Sequence, residues 1–139
     1  MSIFIDTGVF YAHHDADAER HSMATNLVDA ILDGEYGHPY TSDYILDEAV
    51  TLTRTRTQSV ADADAIASRI CGRDPYPSIV ELIYASPESV SAGLDVFRQY
   101  SDHELSFTDA MTVGICDRHD IDAVASFDSD FDGIIKRID

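Results

Sequence analysis

Short apolar runs that stop abruptly alternate with stretches whose apolar residues recur three and four apart, and this alternation leaves few folds open to the chain. Ser2 to Ile5 reads as a strand ending at Asp6. Met23, Leu27, Ala30 and Ile31 follow at helical spacing, with Gly34 and Gly37 as a stop. Tyr40 to Ser42 reads as a brief strand. Asp43 is then an N-cap candidate for a helix through Arg54, with Ile45, Leu46, Ala49, Val50 and Leu52 as its apolar stripe. Ser59 caps a further helix closed by Gly72, Ile79 to Tyr84 reads as a strand, and Pro87 opens another helix. Thr108 is an N-cap candidate for a helix carrying Met111 and Ile115, and Ala123–Ser126 and Ile134–Ile138 read as the last strands. Strands separated by helices predict an α/β domain with a mainly parallel sheet. In such sheets, binding sites gather at the carboxyl ends of the strands.

Nothing in the sequence reads as a linker, repeat or low-complexity tract, so residues 1–139 are expected to form one domain. Apolar residues make up 45% of the chain, too many for disorder by composition. No apolar run approaches the roughly 20 residues of a membrane span, and Met1–Asp6 lacks the basic start of a signal peptide. Cys71 and Cys116 have no CxxC spacing and read as reduced thiols. A cytoplasmic location without membrane contact is the expectation.

The charge argues against a nucleic-acid partner. Asp and Glu number 26 against 9 Lys and Arg, a formal net charge of −17, whereas nucleic-acid binders are usually basic. The excess is spread along the chain, and Lys136 is the only lysine. Uniform acid enrichment with lysine depletion fits a halophilic protein. At molar salt the Debye length falls to about 3 Å and distributed repulsion is largely screened.

Four acids stand apart by position. Asp6 follows the first strand directly, Asp128 follows the Ala123–Ser126 strand after Phe127, and Asp109 begins a helix. Glu48 lies roughly 110° around the helical wheel from the centre of its apolar stripe, at the border where a helix faces a cleft. A parallel sheet brings several of these carboxylates into one crevice. Like charges so close need compensation, and an all-oxygen set suits Mg²⁺ or Mn²⁺. Such a site can perform metal-assisted phosphodiester hydrolysis.

These residues also carry a family resemblance. Ile3-Phe4-Ile5-Asp6-Thr7-Gly8-Val9-Phe10-Tyr11-Ala12 resembles the opening of a PIN domain. Thr41 to Glu48, Leu105-Ser106-Phe107-Thr108-Asp109-Ala110 and Ala125-Ser126-Phe127-Asp128-Ser129-Asp130-Phe131 resemble its later acidic motifs, in order. In its compact length the chain is most similar to VapC-type toxin ribonucleases. The resemblance implies a three-layer α/β/α fold and a divalent-metal-dependent endoribonuclease using one or two Mg²⁺ or Mn²⁺ ions. By motif, Asp6, Glu48, Asp109 and Asp128 would be the metal-binding catalytic quartet, with Asp130 a secondary ligand and Thr7 and Ser126 as supporting hydroxyls. It further implies an RNA substrate, a homodimer and a cognate antitoxin. The charge departs from the family, so the RNA-contact surface does not carry over. Arg54 and Arg56, after the Glu48 helix, are candidates to touch phosphate.

Other readings compete. Asp6-Thr7-Gly8 is the triplet of aspartic proteases, and Gly72-Arg73-Asp74 echoes a second motif of the dimeric enzymes. Asp128-Ser129-Asp130-Phe131-Asp132-Gly133 matches the start of an EF-hand loop, but its twelfth position is Asp139, with no exiting helix. A catalytically silent PIN-fold scaffold is a third. His13 and His14, near Asp15, Asp17, Glu19 and His21, read as a solvated connection rather than a metal site.

Overall fold

The computed structural model describes residues 1–139. The elements, in chain order, are β1 (Ser2–Ile5), α1 (Thr7–His14), α2 (His21–Leu32), β2 (His38–Ser42), α3 (Asp43–Thr57) and α4 (Val60–Cys71). Then come β3 (Glu81–Ile83), α5 (Pro87–Gln99), α6 (Phe107–Arg118), β4 (Ala123–Ala125), a 3₁₀ turn (Ser129–Phe131) and β5 (Lys136–Ile138). The strands form one sheet in the order β3-β2-β1-β4-β5, and every pairing is parallel. Consecutive residues of β1 and β4 are buried (Ile3, Phe4 and Ile5; Ala123, Val124 and Ala125), so both faces of the sheet centre are covered. Right-handed crossovers put α1–α4 on one face, because the chain steps from β1 to β2 to β3. The same rule puts α5 and α6 on the other, since β4 lies on the far side of β1. This is the three-layer α/β/α arrangement.

Local chemistry fixes the helix ends. Ser42, Ser59, Ser86 and Ser106 each accept a hydrogen bond from a backbone N–H in the first turn of the helix that follows. Each such cap is worth about 1 kcal/mol. The caps of α3 and α6 are therefore Ser42 and Ser106, one and two residues before the expected Asp43 and Thr108. Asp43 instead accepts from Ala85 N–H at 3.0 Å, tying α3 to the segment after β3. α4 closes at Gly72, whose φ of +64° is left-handed. α5 and α6 pack backbone to backbone. A Cβ on Gly114 would lie 2.8 Å from Gly93 N, and one on Gly93 would strike the Met111 sulfur.

Further expectations change, and two rival readings fall away. α1 was not anticipated, so His13 and His14 lie in the last turn of a helix rather than in a solvated connection. His14 is tied down there, with Nε2 2.9 Å from Asp62 Oδ1 and Nδ1 accepting from Arg69 Nε at 3.1 Å. β3 and β5 are each three residues, shorter than predicted. The all-β architecture of an aspartic protease is not the fold observed, and Gly72-Arg73-Asp74 sits at the end of α4. The EF-hand match is a 3₁₀ turn running into an edge strand. Both cysteines are free thiols, and no helix is long and apolar enough to cross a membrane.

Candidate active site

The site begins where two central strands end. Asp6 N–H donates to Ala125 O at 3.0 Å, and Ser126 N–H donates to Ile138 O at 3.0 Å. The sheet ladder thus runs one residue past β1 and β4 and fixes Asp6 and Ser126 side by side. Asp6 occupies the N-cap position of α1, yet its carboxylate caps nothing. Ser126 Oγ donates to Asp6 Oδ2 at 2.7 Å. The same Oγ accepts from Asp128 N–H at 3.0 Å, and Asp128 Oδ1 accepts from Asp130 N–H at 2.9 Å. One fully buried hydroxyl therefore orients Asp6 and the backbone that carries Asp128.

Asp109 is held differently. Ser106 Oγ accepts from Asp109 N–H at 3.1 Å, and Asp109 Oδ2 accepts from Ser106 N–H at 3.1 Å. This reciprocal capping box locks the acid to the first turn of α6. Glu48 is half-buried on α3 while Asp47 is exposed, as the helical wheel predicts.

Asp6, Glu48, Asp109, Asp128 and Asp130 all line one cleft of about 620 Å³, with Thr7 and Ser126. Carboxylate oxygens of Asp109, Asp128 and Asp130 lie within 4.8 Å of one another. Burial, with the Asp109 and Glu48 charges adding to it, raises the Asp6 pKa to about 7 despite the Ser126 bond. Burial raises Asp109 to about 6, with Asp128 and Glu48 contributing and the Ser106 bonds opposing. The neighbouring Asp128 charge raises Asp130.

No Lys, Arg or His forms an ion pair with any of these five acids. The cluster holds several negative charges in a partly dry cleft, and no cationic side chain is paired with them. Thr7 Oγ1 is buried there without a hydrogen-bond partner. An all-oxygen donor set with unbalanced charge fits a hard divalent cation.

The candidate arginines separate. Arg56 lines the cleft, its guanidinium carbon 4.8 Å from the centre of the Tyr11 ring. Arg54 does not line it, because two residues along α3 turn a side chain by about 200°. Arg20 also lines the cleft, 5.4 Å from the centre of the Phe127 ring, and sequence reasoning missed it. It stands outside every motif, in the bend between α1 and α2, and no local signal marked it.

The PIN domain family profile matches residues 3–136. The chain belongs to the PIN domain family. It is 24% identical over 132 residues to a VapC ribonuclease of Archaeoglobus fulgidus, covering 94% of this chain and 80% of that relative. The fold is similar to that of the Mycobacterium tuberculosis toxin VapC20, a sarcin-ricin-loop-cleaving toxin. The TM-score is 0.78 at 24% identity, with 93% of this chain and 92% of that one covered. A toxin-antitoxin complex from Klebsiella pneumoniae contains another chain of this fold. There the TM-score is 0.66 at 15% identity, with 99% and 96% covered. PIN-domain ribonucleases generally use divalent metal ions, and the acid cluster of this member suits one.

Proposed function

We propose that residues 1–139 form one PIN nuclease domain that hydrolyses RNA with Mg²⁺ or Mn²⁺, as the toxin of a toxin-antitoxin pair. The observation that carries this reading is the convergence of Asp6, Glu48, Asp109 and Asp128 in one cleft without a paired cation. These four residues, joined by Asp130, would hold one or two ions. A divalent ion there supplies an activated water at neutral pH and stabilises charge on the phosphate. The protein's own part is positioning. Ser126 aims the Asp6 carboxylate, and the Ser106 capping box aims Asp109. Arg56, which lines the same cleft, would meet an RNA phosphate beside the acids. Hydrolysis of this type leaves a 5′-phosphate and a 3′-hydroxyl.

The similarity to toxin chains, one of them in a toxin-antitoxin complex, supports a cognate antitoxin; a homodimer acting in the cytoplasm is part of the same proposal. The test is incubation of the purified protein with structured RNA and Mg²⁺ or Mn²⁺ at high salt, beside Asp6→Asn and Asp109→Asn. Wild type should cut and leave 5′-phosphate ends, and both variants should be inert. Equal cleavage by variants and wild type would reject the site.

A further inference from the structure

The acidic cleft adjoins a second cavity of about 500 Å³, and the two share Tyr11, Arg20 and Arg56. These three residues form a saddle between them. Arg20 rests over Phe127 and Arg56 over Tyr11. In a chain with 26 acids, neither arginine pairs with a carboxylate. A guanidinium lying on an aromatic face keeps its N–H edge free for phosphate and offers a plane on which a base can stack. Beside the saddle, the wall of the second cavity carries Asp15, Asp17 and Glu19. Asp15 is already engaged, accepting from Tyr11 Oη at 2.9 Å and from Asp17 N–H at 2.9 Å. This wall repels phosphate but accepts hydrogen bonds from the amino groups of a base. Backbone is thereby directed over the saddle and a base into the cavity.

We propose that the saddle is a nucleotide subsite. Arg20 and Arg56 hold the phosphate next to the one being cut, and the adjoining unpaired base sits in the second cavity. Bases with exocyclic amino groups are favoured there over uracil. The proposal rests on the nuclease reading above and predicts where the strand runs beyond the acids.

The experiment measures binding of short, labelled, unstructured oligoribonucleotides by fluorescence anisotropy with Mn²⁺ present, together with kcat and KM for their cleavage. Arg20→Gln and Arg56→Gln are each expected to raise Kd and KM about tenfold while kcat stays within about twofold. Each should also make the logarithmic salt dependence of binding shallower by about 0.7. Arg118→Gln, on α6 and outside both cavities, controls for general loss of positive charge. Oligonucleotides of uracil alone should bind more weakly than those with cytosine or adenine beside the cut. RNA cut with KM unchanged in both arginine variants would overturn the subsite and leave the nuclease reading standing. RNA bound through both arginines but never cut would keep the subsite and reject hydrolysis. Oligonucleotides neither bound nor cut would overturn the subsite, and the nuclease reading with it if structured RNA is also left uncut; equal Kd for all bases would overturn the placement of the base.

Discussion

Without a divalent ion this protein should lose stability as the pH rises from 5 to 7, opposite to the usual behaviour of surface carboxylates. Folding raises Asp6 from 3.8 to about 7 and Asp109 from 3.8 to about 6, chiefly by burial. The folded state therefore holds protons that the unfolded chain has released, and stability falls with pH across that window. Each such proton is worth about 1.4 kcal/mol per pH unit. Between pH 5 and 7, Asp6 then costs about 3 kcal/mol, and Asp109 adds about 1 between pH 5 and 6. His13, whose burial lowers its pKa, works in the opposite direction. The informative quantity is thus the difference between wild type and Asp6→Asn, since Asn can still accept the Ser126 hydroxyl. Urea melts in chelator at constant high salt should find Asp6→Asn more stable at pH 8 by roughly 4 kcal/mol, and nearly equal to wild type at pH 4. Added Mn²⁺ should rescue wild type at pH 8 and leave the variant almost unmoved. A wild type equally stable from pH 5 to 8 in chelator, or an Asp6→Asn protein less stable at pH 8, would refute the claim that uncompensated buried charge defines this cleft.

Other perturbations follow from the same contacts. Ser126→Ala strips the donor from Asp6 and leaves Asp128 N–H unpaired. It should cost about 1–3 kcal/mol in chemical melts and weaken Mn²⁺ binding about tenfold by calorimetry. Gly114→Ala forces a methyl to within 2.8 Å of Gly93 N, and thermal melts should show a loss of about 1–3 kcal/mol. Gln58 closes α3 at φ +54°, so Gln58→Gly should stabilise by about 0.5–1 kcal/mol in the same melts. Transfer from molar to low salt should lower Tm as the −17 net charge loses its screening, and a Tm independent of salt would remove the halophilic reading.

Much of the candidate site was legible because Asp6, Asp109 and Asp128 sit near breaks in the apolar pattern, where a strand has just ended or a helix begins, even though the exact element bounds were not. Asp6 closes the plainest strand, and Glu48 sat at the border of its stripe on the helical wheel as it does on α3. α1 escaped because Val9, Phe10, Tyr11 and Ala12 are all buried in succession. A short helix packed on most sides has no polar face and so no stripe. The caps of α3 and α6 shifted because a serine lay just before the residue chosen in each case. For α6 the pattern Ser106-x-x-Asp109 was itself a readable capping box, and reading it would have shown that Asp109 is locked in place as well as charged. The arginines were the least legible. Whether Arg54 or Arg56 faces the cleft depends on the rotation of α3, and Arg20 reaches it only through the fold of the α1–α2 bend.

If one set of carboxylates holds the ion that RNA cleavage requires, ion binding and cutting must stand or fall together. The deciding measurement titrates Mn²⁺ into the metal-free protein and follows heat of binding and RNA cleavage on the same samples, for wild type, Asp6→Asn and Asp109→Asn. Cleavage by wild type should rise in step with site occupancy, and each substitution should both weaken binding at least about tenfold and abolish cutting. Cleavage that proceeds in chelator, or variants that bind Mn²⁺ as wild type does yet fail to cut, would contradict that coupling.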